Sequence, residues 1–70
     1  MESNMTRKYF TLVCRERGAG NWFPQFGDYV RAIVAQECID IKRDYPRGTE
    51  WKIVVSGDTQ TEINAAIAAL

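Results

Sequence analysis

The chain opens its ordered pattern with an alternation. From Lys8 to Glu16, Phe10, Leu12 and Cys14 alternate with Tyr9, Thr11, Val13 and Arg15. A period of two is what a half-buried strand requires. Arg17-Gly18-Ala19-Gly20-Asn21 follows, and its glycines and asparagine supply the positive-φ positions of a hairpin turn. Asn21–Gln25 reads as a short return strand. Pro24 cannot donate to a ladder, which places that strand at a sheet edge. Gly27 breaks the strand, and Asp28 is the expected N-cap of a helix over Tyr29–Tyr45. Val30, Ile33, Val34, Cys38, Ile41 and Tyr45 form its apolar stripe, and Pro46 and Gly48 end it. Trp51–Ser56 alternates again as a strand. Thr59 and Glu62 have capping-box spacing before a last helix with Ile63, Ala66, Ile67 and Leu70 on one side.

The order β-β-α-β-α predicts an α+β fold with a three-stranded sheet in the order 2-1-3. The hairpin makes strands one and two antiparallel, and the helical crossover makes strand three parallel to strand two. Both helices are expected on one face, over Phe10, Leu12, Cys14, Trp51, Ile53 and Val55. Tyr9, Thr11, Val13, Arg15, Lys52 and Val54 are left on an open second face. Residues 1–7 read as a frayed polar tail and 8–70 as the single domain.

Composition narrows the function. Seventy residues hold one thin core, with little room for an internal pocket. Nine basic residues balance nine acidic ones, so the basic excess of a dedicated nucleic-acid binder is missing. The charge is mildly asymmetric: residues 1–27 carry four basic against two acidic residues, and residues 48–70 carry one against three. The chain contains no histidine, which removes Ser-His and Cys-His nucleophile pairs. Its two cysteines fall on core-facing positions without CxxC spacing, so neither a zinc site nor a disulfide scaffold is expected. Asp40 and Asp44, with Glu37, lie among Lys42 and Arg43 on a solvated helix face, where acid–base pairing is not expected. The loop from Arg17 to Asn21 joins two strands and opens no helix, so it is not a phosphate loop. No catalytic residue, metal ligand or cofactor site is assigned. The absence of a signal-like or transmembrane stretch points to a cytoplasmic setting without membrane contact.

Trp22-Phe23-Pro24-Gln25-Phe26-Gly27-Asp28-Tyr29 is the most distinctive segment, with four aromatic residues in eight. Phe26 and one of Trp22 or Phe23 are expected to fill the core, while Trp22 and Tyr29 are candidates to anchor a partner. With Lys8-Tyr9-Phe10-Thr11-Leu12, Lys52-Ile53-Val54 and the closing Ile–Ala helix, this segment resembles small proteins of proteobacteria and their phages. That group has no assigned activity, so the resemblance implies a setting and no site residues. A fainter likeness is to the amino-terminal half of HicB-type antitoxins, whose longer strands and DNA-binding extension have no counterpart here.

The expected function is therefore a non-enzymatic protein-binding module, a small regulator or inhibitor of a larger bacterial or phage protein, including one of a defence system. The candidate contact residues are Tyr9, Val13, Arg15, Arg17, Trp22, Tyr29, Lys52 and Val54. Two alternatives stand beside it. One is nucleic-acid binding on the open sheet face, where Tyr9, Arg15 and Lys52 would form a stacking and charge platform. The other is a homodimer that covers the open face or joins two strand edges.

Overall fold

The computed structural model describes residues 7–70, in the order β1 (Tyr9–Arg15), β2 (Phe23–Asp28), α1 (Arg31–Lys42), β3 (Glu50–Ser56) and α2 (Gln60–Ala68). The sheet order is β2-β1-β3, and both outer strands run antiparallel to β1. The fold is thus the expected α+β arrangement. Residues 1–6 of the expected tail lie outside the described residues. Arg7, also assigned to that tail, lies over the ring of Tyr29, 4.2 Å from its centroid.

The strands sort their side chains as the alternation predicts. Phe10 pairs with Val55, Leu12 with Ile53 and Cys14 with Trp51 on one face; Thr11 pairs with Val54, Val13 with Lys52 and Arg15 with Glu50 on the other. β2 is displaced from its expected position. Leu12 faces Phe26 but Val13 faces Pro24, so Gln25 is an extra, bulged residue. The bulge carries the strand past Pro24 to Asp28, and Gly27 belongs to it instead of breaking it. Gly27 is required there by contact: a side chain at that position would collide with the ring of Tyr9.

The first helix is shorter than expected at both ends. Its N-cap is Val30, whose side chain makes no capping bond, and its C-cap is Arg43. Asp28 uses its carboxylate earlier, where Oδ1 accepts from the backbone N–H of Val30 at 2.9 Å. That Asx-type turn holds Tyr29 and Val30 outside the helix. Val34 is buried and Cys38 and Ile41 are half-buried, whereas Val30 and Ile33, expected in the same stripe, are exposed. The second helix follows its expected signal. The Thr59 hydroxyl oxygen accepts from the N–H of Glu62 at 3.2 Å and donates to the Glu62 carboxylate at 2.7 Å.

Coverage of the sheet departs most from expectation. Leu12 and Val13 point to opposite faces and both are fully buried, with Thr11 buried beside Val13. The second face is therefore not bare. Trp22 lies under Arg15 and Lys52 there, and the last turn of α2 meets Trp22 in a small cleft also lined by Ile67 and Leu70. α1 packs mainly on β1 and β2, and α2 on β3 and β1. The expectation that the second face is left open is corrected accordingly. Val55, expected under a helix on the first face, is 54% exposed. The physical reason is that Thr11, Val13 and Val54 give the second face an apolar centre. The short turn after β3 can deliver α2 to either side.

Candidate functional site

Two turns meet at the Arg15 end of the sheet. The β1–β2 loop reverses through Gly18, and the α1–β3 loop through Gly48, both at positive φ where glycine is favoured. The loops touch: a Cβ on Gly48 would lie 3.4 Å from Cδ of Arg17. Arg17 therefore rests its aliphatic stem along the neighbouring turn and carries its guanidinium to the surface.

Behind this contact the end of α1 is pinned to the sheet. Tyr45 stands edge-on to Trp51, with ring centroids 5.0 Å apart and planes at 85°. Its hydroxyl donates to Oε1 of the bulged Gln25 at 2.9 Å. The bulge thus places Gln25 where a regular strand would not. Thr49 closes the second loop, donating from its hydroxyl to the Pro46 carbonyl at 2.8 Å.

Between these parts lies an open cleft of about 760 Å³. Cys14, Phe23, Tyr45 and Pro46 supply apolar wall, and Arg17, Arg47 and Glu16 supply charge. Phe23 is 57% exposed, a large apolar ring left at the rim. Arg15 also borders the cleft, but its guanidinium is engaged: Nε donates to Oε1 of Glu50 at 2.8 Å, and the group lies over Trp22. Among the described residues, neither Arg17 nor Arg47 has a carboxylate within ion-pair distance.

The candidate contact residues do not form one surface. Arg15 and Arg17 border the cleft. Trp22 is half-buried beneath Arg15 and Lys52, so of Trp22 and Phe23 it is the tryptophan that packs. Tyr9 and Tyr29 stack edge-on at 5.0 Å at the opposite end of the sheet, and the Tyr29 hydroxyl donates to Asp58. Val54 is half-buried. Val13 is wholly buried and offers no contact surface. The platform of Tyr9, Arg15 and Lys52 is likewise not assembled, because Trp22 lies beneath Arg15 and Lys52 and Tyr9 stacks on Tyr29 at the other end of the sheet. Phe23, Tyr45, Arg47 and Gly48 were not singled out as contact residues. Gly18 and Gly48 mark the two turns in the sequence, but which end of the sheet each turn reaches follows from the strand order.

Burial pushes the Cys14 thiol above its ordinary value, partly offset by a hydrogen bond with Gln25. A thiol held in its neutral form is a poor nucleophile. Among the described residues no group of three or more Cys, Asp or Glu side chains is placed to hold a metal ion, and no helix is long and apolar enough to cross a membrane. In comparisons with known proteins, the chain matches no family model, no curated protein and no solved structure.

Proposed function

We propose that this chain is a small non-enzymatic protein-binding module, a phage or bacterial accessory regulator or inhibitor of a larger protein, and that the cleft at the Arg15 end is its partner site. The observation that carries this reading is the cleft itself: an open hollow with an apolar wall, an exposed Phe23 at its rim and two arginines without carboxylate partners among the described residues. Exposed aromatic and arginine side chains around a concavity are what protein interfaces concentrate. Site-specific photo-crosslinking in a bacterial lysate tests the reading. A crosslinker replacing Phe23 is expected to capture a discrete protein that one replacing Ile39, exposed on α1 outside the cleft, does not. Identical adducts from both positions, or none from Phe23, would overturn it.

A second reading, self-association, is favoured by β3. It is an edge strand of seven residues without proline, whereas the other edge, β2, is blunted by Pro24 and a bulge. With the second face covered, a dimer would form by joining β3 edges about a two-fold axis. Sedimentation equilibrium decides: a single 8.0 kDa species at all concentrations removes the dimer.

A further inference from the structure

The shape of the cleft suggests a partner surface, and its charge suggests what kind. Arg17 and Arg47 come from two different loops and line the same hollow, with Glu16 the sole acidic side chain among its walls. Elsewhere Arg15 pairs with Glu50 and Arg43 with Asp40. For the molecule as a whole the net charge is zero, so the positive character of the cleft is local.

We infer that the cleft binds an acidic peptide segment of a partner protein, with an apolar side chain seated on the wall formed by Cys14, Phe23, Tyr45 and Pro46 and carboxylates reaching Arg17 and Arg47. This inference rests on the cleft being the partner site. Guanidinium groups favour carboxylates because their planar donors match both oxygens. Arg17 is well placed for the task because its stem is held along Gly48, so less rotamer freedom is lost on binding. The apolar wall gives an aliphatic or aromatic residue a place to leave water. A nucleic-acid backbone fits less well. It presents phosphates and sugars and would leave that wall uncovered, and its binding draws on a broad basic surface that a chain of zero net charge does not have.

The test uses the full chain and three short peptides built around one phenylalanine. The first is flanked by Asp and Glu, the second by Asn and Gln in the same places, the third by Lys. Binding is read residue by residue from amide chemical shifts. The acidic peptide is expected to move the amides of Arg17, Phe23, Gly48 and Thr49 and to weaken as salt rises. The double variant Arg17→Glu/Arg47→Glu should bind it about tenfold more weakly, the scale of two exposed ion pairs turned to repulsions. The same variant should gain affinity for the lysine peptide. Unchanged shifts elsewhere in the variant would show that it is folded. If the amide-flanked or lysine peptide moves the same amides of the unmodified chain as strongly, the acid preference is overturned while the cleft remains the partner site. If none of the three moves those amides, both the acid preference and the cleft reading are overturned. A single-stranded oligonucleotide moving them where the acidic peptide does not would replace the peptide with a phosphate backbone and overturn the inference.

Discussion

Tyr29 donates its hydroxyl to Oδ2 of Asp58 across 3.0 Å, joining the end of β2 to the turn between β3 and α2. The two residues are 29 positions apart in sequence. With Tyr9 edge-on to Tyr29 and Arg7 over its ring, this contact closes the end of the sheet opposite the cleft.

The bond raises the Tyr29 pKa above tyrosine's ordinary 10.0, first through the hydrogen bond to Asp58, then through burial and the Asp58 charge, with Arg7 opposing. A raised folded-state pKa means that the protonated phenol is favoured by the fold. Its contribution is fully present below the unfolded-state value and is lost as pH rises through the folded one. An ultraviolet titration of the tyrosines, with Tyr29→Phe to assign the transition, should show this group ionising above 10.0. Asp58→Asn should bring it back toward 10.0. An unmoved transition in Asp58→Asn would show that the hydrogen bond is not made in solution.

Val13→Asp should unfold the domain or cost several kcal/mol, because the side chain is wholly buried on a covered face and an unpaired carboxylate there has no compensation. Leu12→Ala should cost about 2–5 kcal/mol by the cavity it leaves. Lys52→Ala, at an exposed position opposite Val13, should stay within about 1 kcal/mol, more than bare surface only through its place over Trp22. Chemical denaturation of the three variants checks the order. A mild Val13→Asp would mean that the second face is open after all.

Among the described residues, the Oγ1 of Thr11 is buried without a hydrogen-bond partner. Desolvating a hydroxyl without a partner costs about 1–3 kcal/mol, and valine has nearly the same shape. Thr11→Val is therefore expected to raise the melting temperature. A lowered one would reveal a partner for the hydroxyl, such as a bound water.

Thr59→Ala should lower stability by about 1 kcal/mol, since its hydroxyl caps α2. Asp28→Ala should act through the turn that precedes α1, removing one bond to the Val30 N–H, worth about 0.5–1.5 kcal/mol. Hydrogen exchange separates the two: Thr59→Ala should speed exchange in the first turn of α2, while Asp28→Ala should leave the first turn of α1 nearly unchanged, because its N-cap Val30 makes no side-chain capping bond.

Local sequence determined the elements of this protein, their order and the sharing of side chains between faces. Alternation from Tyr9 to Arg15 and from Trp51 to Ser56 fixes which residues lie together because a strand repeats every two residues. Pro24 marks an edge because it lacks a donor, and Thr59 with Glu62 marks a helix start because their capping bonds are made within four residues. Tertiary structure decided what depends on distant partners. Gly27 joins β2 because the ring of Tyr9 lies where its side chain would be, a contact no local pattern contains. Asp28 has the composition of a helix cap, yet the turn into Tyr29, itself held by Asp58, moves the helix start to Arg31. Periodicity places Val13 and Leu12 on opposite faces but is silent on which face receives the next helix, so the covered second face and the exposed Val55 were not legible. The cleft was least legible of all. Arg17 and Arg47 are 30 positions apart, and only the meeting of two glycine turns brings them to one hollow.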